Sequence, residues 1–243
     1  MVDTSLRGIA PHGPRLLGQY LDGLSSGVAD ARARITVVRD KGAGLLLDVD
    51  GALGVLAGLA AARDAAERAA RFGVAAVDVR ASDHFGAASV STRRLTRKGL
   101  VGLAVTSAAS RVAPFGGYKG QGLAMAVTLL GAVLTGMPPD WRLSQVGAGT
   151  AGRDRHVGHF VPAIDPAAFA GEEQFTAHLA ELLDTVRTAP RAGQEPVLAH
   201  ERRRRATGIP PDAGTARRLA GPADRLGVPG PVGVPERAEA SAK

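Results

Sequence analysis

The segment Val74-Ala75-Ala76-Val77-Asp78-Val79-Arg80, followed by Ser82-Asp83-His84-Phe85-Gly86, organises the chain. Its second half alternates apolar and polar residues, the period expected of a half-buried strand. His84 therefore falls on the connection after a strand, where functional residues concentrate. A histidine changes charge near neutral pH and can donate or accept a proton, which makes His84 a candidate catalytic residue. The alternative is a histidine with a purely structural role.

A glycine cluster precedes a long apolar segment further along the chain. Its members are Gly116, Gly117, Gly120 and Gly122. Glycines let backbone amides approach a ligand closely, and Lys119 among them adds a compact positive charge of the kind that binds phosphate. The cluster predicts a site for an anionic, phosphate-bearing ligand. The alternative is that these glycines only cap a helix.

Composition limits the class of protein. A chain of 243 residues with 45% hydrophobic content can bury a core in one or two domains. It contains no cysteine, which excludes disulfide scaffolds and cysteine-ligated metals. The sequence after Met1 is not an apolar leader, so we expect a cytoplasmic protein.

Much of the formal charge of +7 lies in the arginine run at 202–205. Such a run can contact the phosphates of nucleic acid. Aromatic residues, which would stack on single-stranded bases, make up only 4% of the chain. We therefore interpret the run as a solvated charged surface and expect no nucleic-acid partner.

The first histidine lies in a segment rich in glycine and proline, Leu6-Arg7-Gly8-Ile9-Ala10-Pro11-His12-Gly13-Pro14-Arg15. Helical spacing of apolar residues follows over 16–24, so His12 and Arg15 stand at the start of a helix, where anions are favoured. We predict that Arg15 holds a carboxylate substrate beside His12, and we include Tyr20 in the substrate-binding set. A surface histidine is the alternative.

The middle of the chain is predicted to alternate strands and helices, which indicates an α/β fold (mixed α+β). The predicted strands are 35–38, 45–49, 74–80 and 100–106, and the predicted helices are 53–72 and 87–98. Charged residues occupy one face of the helix at 53–72. The opposite, sheet-packing face is predicted to contain largely Leu56, Leu59, Ala60, Ala66 and Ala70.

The second half is predicted to begin with a buried core helix at 123–134, too short for the roughly 20 residues that span a bilayer. A loop at 137–158, a strand at 159–164 and an amphipathic helix at 172–188 follow. A helix at 216–226, interrupted by Pro222, comes next. We expect one domain over 1–228, with an internal deletion near 114–118, and a disordered tail at 229–243.

A metal site is not predicted. His156 and His159 are three residues apart, but no nearby carboxylate or thiolate completes a coordination set.

Several motifs occur in an order that resembles the type 2 malate/L-lactate dehydrogenase family, which also contains ureidoglycolate, sulfolactate and diketogulonate oxidoreductases. They are Leu6-Arg7-Gly8-Ile9 before His12-Gly13, Ser82-Asp83-His84-Phe85-Gly86-Ala87, Gly116-Gly117-Tyr118-Lys119-Gly120-Gln121-Gly122-Leu123-Ala124, and Gly158-His159-Phe160 with Ala163-Ile164-Asp165-Pro166. The resemblance covers about residues 3–228.

The resemblance implies an oxidoreductase that uses NAD or NADP to interconvert a 2-hydroxy acid and a 2-oxo acid. It implies a cytoplasmic homodimer on a fold different from the doubly wound dinucleotide fold. His12 matches the family's proton donor, and His84 matches a second active-site histidine. The residues that match cofactor contacts are Tyr118, Lys119, Gly120, His200 and Glu201.

Two departures accompany the resemblance. The family has an arginine four residues after its first histidine, whereas this chain has Leu16 there and Arg15 one position earlier. The stretch Ala113-Pro114-Phe115-Gly116-Gly117 stands for two family motifs that normally flank a central cofactor-binding segment. Fusion across similar motifs would remove that segment, so the alternative function is a non-catalytic remnant that binds no dinucleotide.

Overall fold

A computed structural model of the chain describes residues 1–107, 118–138, 157–188 and 197–230. The chain divides into two compact units. One unit combines Met1–Ser25 with the described part of Arg191–Lys243, and the other is the described part of Ser26–Pro190. The domain limits inferred from sequence remain a prediction, and residues 231–243 of the expected tail lie outside the described residues.

The larger unit is built on a mixed six-stranded sheet. Its strands are β1 (Thr36–Lys41), β2 (Gly44–Asp48), β3 (Val74–Ser82), β4 (Val101–Gly102), β5 (Val105–Thr106) and β6 (Val157–Ile164). The strand order is β1-β2-β3-β6-β4, and β5 also pairs with β6. The β2–β3 pair is parallel, whereas β1–β2 and the pairs made by β6 are antiparallel. The predicted α/β class is thus confirmed.

Helix α3 (Gly54–Phe72) connects the parallel strands β2 and β3, and Gly73 with a φ of +78° ends it as predicted. The predicted sheet-packing face is wrong in detail, because Leu56 is 50% exposed. The buried stripe consists of small residues: Gly54, Ala57, Gly58, Ala61, Ala62, Ala65, Ala66 and Ala69. Small side chains allow the helix to approach the sheet closely, so the face of α3 that packs on the sheet is the one with the smallest side chains.

Two other predicted elements are shorter than expected. The helix after β3, α4, spans Ser89–Thr96. The predicted strand at 100–106 is divided into β4 and β5 with Leu103 and Ala104 between them, although the Leu103 amide still donates to the Pro162 carbonyl of β6 at 3.2 Å. Both short strands still pair with β6, so the chain remains at the same sheet edge.

The apolar helix after the glycine cluster differs most from prediction. Helix α5 runs Tyr118–Thr128 and continues as a π-helical turn over Leu129–Val133, so part of the cluster lies within the helix. It is not a buried core helix: exposed fractions above one half are found at Leu123, Met125, Leu129, Val133 and Leu134. Gly131 is buried against Thr106 and Ser107, so a narrow stripe of small residues makes the contact.

Helix α6 (Glu172–Thr188) has the predicted bounds. Before it, the Asp165 side chain caps a short 3₁₀ turn over Pro166–Ala168 by accepting from the Ala167 amide at 3.0 Å. Its apolar stripe is largely exposed, with Leu182 at 58%. Beside α6 lies a cavity of about 970 Å³ lined by parts of α3, α6 and the segment around β4, and no predicted site residue lines it.

The smaller unit contains α1 (Val2–Leu6), α2 (Leu17–Ser25), α7 (Val197–Thr207) and α8 (Ala213–Leu226). Helix α2 is as predicted, but α8 continues through Pro222, whose side chain is buried. Helix α7 contains the arginine run that we had interpreted only as a charged surface. Among the residues described, no helix combines the length and the hydropathy needed to cross a membrane.

Candidate active site

His84 is displayed by a connection that is otherwise buried. Strand β3 ends at Ser82, and Ser82, Asp83 and Phe85 are 1%, 5% and 3% exposed. His84 alone among these four residues is half-buried. The amide of Asp83 donates to the Ala52 carbonyl at 3.3 Å, which ties the connection to the chain that leads into α3. The local structure therefore presents the His84 ring from a fixed backbone.

Two glycines of α3 make room for this connection. A Cβ at Gly54 would overlap the carbonyl oxygens of Asp83 and His84. One turn later, a Cβ at Gly58 would overlap the Phe85 ring. The His84 backbone therefore lies directly on the first turns of the helix, and only glycine at these positions permits that approach.

A β-bulge lies just before the His84 connection. Val79 pairs with His159 and Ser82 pairs with Val157, so one extra residue of β3 is accommodated between these pairs. Ala81, within the bulge, has a φ of +55°, a left-handed conformation that is uncommon outside glycine. Bulges bend a strand and redirect its side chains, and they are over-represented beside active sites.

His159 is the buried polar centre of this region. Its side chain is completely buried on β6. Its Nε2 lies 2.8 Å from Ser82 Oγ, and its Nδ1 lies 2.9 Å from Thr106 Oγ1. Burial lowers the pKa of His159 to about 3, against the opposing effect of nearby backbone carbonyls, so the ring is neutral at pH 7. Both ring nitrogens contact hydroxyls, and His156 lies outside the described residues.

The predicted cofactor segment occupies the start of α5. Tyr118, Lys119 and Gly120 form the first helical turn, and Gly120 is buried. The first amides of a helix have no partner within the helix, which suits them to an anionic group. The preceding motif at 113–117 lies outside the described residues. His84 and this turn belong to the same compact unit.

His12, in the smaller unit, ends a 3₁₀ turn. Its carbonyl accepts from Thr4 Oγ1 at 2.8 Å, and a Cβ at Gly13 would overlap Ser5 Oγ. Gly13 therefore packs closely on α1, and a larger residue there would displace the Ser5 hydroxyl. Of the two residues predicted at the start of a helix, Arg15 lies in the turn directly before α2, which begins at Leu17, whereas the extended Gly13 separates His12 from that turn.

Arg15 and Tyr20 differ in their surroundings. Arg15 lies in the 3₁₀ turn Pro14–Leu16 and is exposed, which suits a residue that would receive a carboxylate from solvent. Tyr20 lies on α2 and is only 8% exposed, so most of its ring fills the interior of the unit. Their assignment to substrate binding remains a prediction.

Helix α7 brings His200 and Glu201 to the segment that carries His12. The His200 ring lies against Gly8, where a Cβ would be 3.0 Å from Nε2, and Arg204 donates to the Ser5 carbonyl. Glu201 is 8% exposed and accepts from Arg205 Nη2 at 2.7 Å. The arginine run is thus partly a structural element. The Glu201–Arg205 spacing, one helical turn, is the feature of the sequence from which this helix could have been predicted.

The structure therefore assembles the predicted residues as two groups. His12, Arg15, Tyr20, His200 and Glu201 belong to the smaller unit, which is formed by the two ends of the chain. His84 and the turn at 118–120 belong to the larger unit. Sequence reasoning missed His159 as a part of the His84 environment, because its partners are distant along the chain.

The sequence matches the model of the malate/L-lactate dehydrogenase family twice, over residues 1–118 and over residues 108–220. Together the two matches cover most of the chain. The chain belongs to the malate/L-lactate dehydrogenase family.

Two curated relatives illustrate the similarity. The malate dehydrogenase of Pyrococcus abyssi is 35% identical over 119 residues, which are 49% of this chain and 33% of the relative. The (2R)-3-sulfolactate dehydrogenase (NADP(+)) of Chromohalobacter salexigens is 40% identical over 124 residues, 49% of this chain and 35% of the relative. The matched stretch thus spans about a third of each relative's length.

Solved structures show the same fold. The malate dehydrogenase from Pyrococcus horikoshii OT3 superposes with a TM-score of 0.85 at 21% identity, covering 94% of this chain and 87% of that one. The sulfolactate dehydrogenase from Methanocaldococcus jannaschii gives a TM-score of 0.80 at 22% identity, covering 93% and 88%. The similarity at this level of identity concerns architecture.

Proposed function

We propose that this chain is an NAD(P)-dependent oxidoreductase that interconverts a small 2-hydroxy acid and the corresponding 2-oxo acid. The observation that carries the proposal is the presentation of His84 from a rigid connection in a chain of this family. Relatives that share the sequence are named malate, sulfolactate and L-lactate dehydrogenases. The proposal extends to the cytoplasmic homodimer that the family resemblance implies.

The residues available for a nicotinamide dinucleotide fit it in charge. Lys119 would supply a cation for a phosphate, and the first turn of α5 would supply backbone amides beside the buried Gly120. These residues would hold the phosphates, with His200 and Glu201 as further candidate contacts. When bound, the cofactor would supply or accept the hydride.

The histidines would handle the proton that accompanies hydride transfer. Reduction of a 2-oxo acid leaves a developing alkoxide, which His12 would protonate as a general acid. His84, held on its buried connection, would be the second proton-handling group. Arg15 is exposed on the turn before α2, where its guanidinium would hold the substrate carboxylate.

A second candidate function is a non-catalytic remnant of the family. The two family matches overlap at residues 108–118, as expected if one stretch stands for two motifs and the segment between them is missing. Remote contacts position reacting atoms, so a chain without that segment would lose much of its rate acceleration. This candidate predicts folding without dinucleotide binding.

A spectrophotometric assay tests the first candidate. The chain is mixed with NADH or NADPH and with oxaloacetate, pyruvate or sulfopyruvate, and consumption of the reduced cofactor is followed. We expect turnover, and a loss of about 100-fold or more in His12→Gln and in His84→Gln, the usual size of a general acid–base contribution. His178→Gln is the matched control, because His178 is exposed on α6. Absence of turnover with every acid would reject the proposal.

Calorimetric titration with NADH separates the two candidates. Micromolar binding excludes the remnant, whereas a folded chain that neither binds nor turns over establishes it. A Lys119→Gln variant should weaken binding if the first turn of α5 contacts a phosphate, while Lys98→Gln, altering an exposed lysine after α4, should leave it unchanged.

A further inference from the structure

We propose that His159 is a positioning residue for His84: its imidazole joins β5 and β6 to the connection that displays His84 and thereby fixes the direction of the His84 ring. This inference rests on the proposed function, in which His84 handles a proton.

The His159 ring contacts the chain on both sides of His84. Nε2 lies 2.8 Å from Ser82 Oγ, two residues before His84. The Phe85 ring, one residue after His84, lies with its centroid 4.2 Å from that of His159, at an interplanar angle of 36°. One buried side chain therefore restrains the residues that flank His84 by a hydrogen bond and by a ring contact.

The other end of the imidazole is anchored in the sheet. Nδ1 lies 2.9 Å from Thr106 Oγ1, and Thr106 is paired with His159 across β5 and β6. A neutral imidazole has one donor and one acceptor nitrogen, so one hydroxyl donates and the other accepts. Since hydroxyls can do either, both contacts form at once and the ring cannot rotate without losing them.

The bulge in β3 gives the Ser82 contact its importance. Backbone pairing between β3 and β6 loses its regular register between Val79 and Ser82, immediately before the connection. The bond from His159 to Ser82 links the two strands across that irregularity. A leucine could fill the same volume, but it could not form the hydrogen bond to Ser82. A histidine at this position therefore both packs in the interior and orients the His84 connection.

Three substitutions at His159 and Thr106, together with Ser82→Ala, separate positioning from packing. In His159→Gln the amide stands near the former Nε2 and can reach Ser82, whereas in His159→Asn it stands near the former Nδ1 and can reach Thr106. Thr106→Val removes the other hydroxyl partner and keeps the side-chain shape. A positioning role predicts that loss of the Ser82 contact is the damaging change.

We expect His159→Asn and Ser82→Ala to lower kcat by about tenfold or more, since small displacements of catalytic groups are costly. His159→Gln and Thr106→Val should stay within about threefold of the wild type, and KM for the cofactor should change little in all four. Urea unfolding supplies the stability of each variant. If kcat simply follows stability, with Thr106→Val as impaired as Ser82→Ala at equal destabilisation, the proposal is wrong.

Histidine NMR decides the proposal even where turnover is absent. The ring signals of His84 are assigned by their loss in His84→Gln. They should move in Ser82→Ala and His159→Asn and keep their positions in Thr106→Val and His159→Gln. No turnover in the wild type with these shifts present would reject the proposed function and retain the positioning of His84. Unchanged His84 signals in Ser82→Ala would reject the positioning itself.

Discussion

His159 and Asp78 are buried titratable side chains on neighbouring strands of one sheet, and they differ in the hydrogen-bond partners that surround them. Register pairs His159 with Val79 and Asp78 with Phe160, so the two side chains point to opposite faces. His159, on the face covered by α3, has a hydroxyl partner at each nitrogen. Among the residues that the structure describes, Asp78 Oδ1 has no hydrogen-bond partner although the residue is only 9% exposed.

Burial disfavours the charged form of both groups in the folded chain. Burial lowers the pKa of His159 to about 3 and raises the pKa of Asp78 to about 7. For His159 the neutral form is also the form that bonds to Ser82 and Thr106. For Asp78 neutralisation only limits the cost of burial. The comparison shows that a buried polar group contributes to position only where the fold also provides its partners.

The comparison predicts opposite pH dependences of stability. The unfolded histidine binds a proton below its usual pKa of 6.5 and the folded one does not, so this contribution to stability is lost as pH falls from about 6.5 towards 3. The folded Asp78 holds a proton that the unfolded one releases above 3.8, so its contribution is lost as pH rises from about 4 to 7. The two effects oppose each other over the same range.

The largest expected effect comes from His159→Leu. The substitution removes the ring partner of the buried Ser82 hydroxyl and of the partly buried Thr106 hydroxyl, which should lower the free energy of unfolding by about 3 kcal/mol at pH 7. The variant should also become less stable from pH 4 to pH 7, because the Asp78 contribution is no longer opposed. Urea unfolding at several pH values measures both. A variant as stable as the wild type would show that the hydroxyl contacts of His159 contribute nothing to stability.

Gly54→Ala tests whether the backbone of the His84 connection packs directly against the first turn of α3. The new Cβ would overlap the carbonyl oxygens of Asp83 and His84, which belong to the backbone and cannot rotate away. We expect a loss of about 2 kcal/mol, typical of overpacking. Gly122→Ala is the control, since no described atom lies within 4 Å of a Cβ there and helix propensity favours alanine. Equal stability of the two variants would contradict the packing.

The sequence pattern predicted the positions of helices and strands better than it predicted which of their residues are buried. Period and terminal glycine placed α3 and β3 nearly to the residue. For α5 the sequence is apolar on every side, so the pattern contains no information about which side faces the sheet. For α3 the larger Leu56 was expected inside, but close approach to the sheet selected alanine and glycine. Contact distance between elements is a tertiary property that periodicity does not encode.

The same distinction between local pattern and tertiary contact applies to the candidate site. The position of His84 after a strand could be read from alternation, because a strand and its exit are local features. The environment of His84 could not, since His159 contacts Ser82 and Thr106, which are 77 and 53 residues away in sequence. The exposed arginine run was interpreted from charge alone, although Glu201 and Arg205 are spaced as a helical ion pair. Local rules find candidates, and tertiary contacts define their chemistry.

Asp78→Asn tests the buried group on the opposite face of the sheet from His159. Because an amide has no charge to lose on burial, the variant should be more stable than the wild type at pH 8 by about 1–2 kcal/mol. The shift in the pKa of Asp78 sets an upper limit of about 4 kcal/mol, since each pKa unit corresponds to about 1.4 kcal/mol. Its stability should then rise from pH 4 to pH 6.5, because the His159 contribution is unopposed. Thermal unfolding at pH 5 and pH 8 measures the difference. A gain at pH 5 as large as at pH 8 would exclude titration of Asp78 as the cause.

Arg80→Gln has the smallest expected effect and compares two carboxylates on the same face. Asp48 is paired with Arg80 across the parallel strands at 2.9 Å, and both side chains are partly exposed, at 27% and 36%. Since solvent screens such a pair, its loss should cost about 0.5 kcal/mol and should shrink in high salt. Urea unfolding at low and high ionic strength measures this change. A cost approaching that of His159→Leu would mean that solvent screens the Arg80–Asp48 pair much less than the exposure of its two side chains indicates.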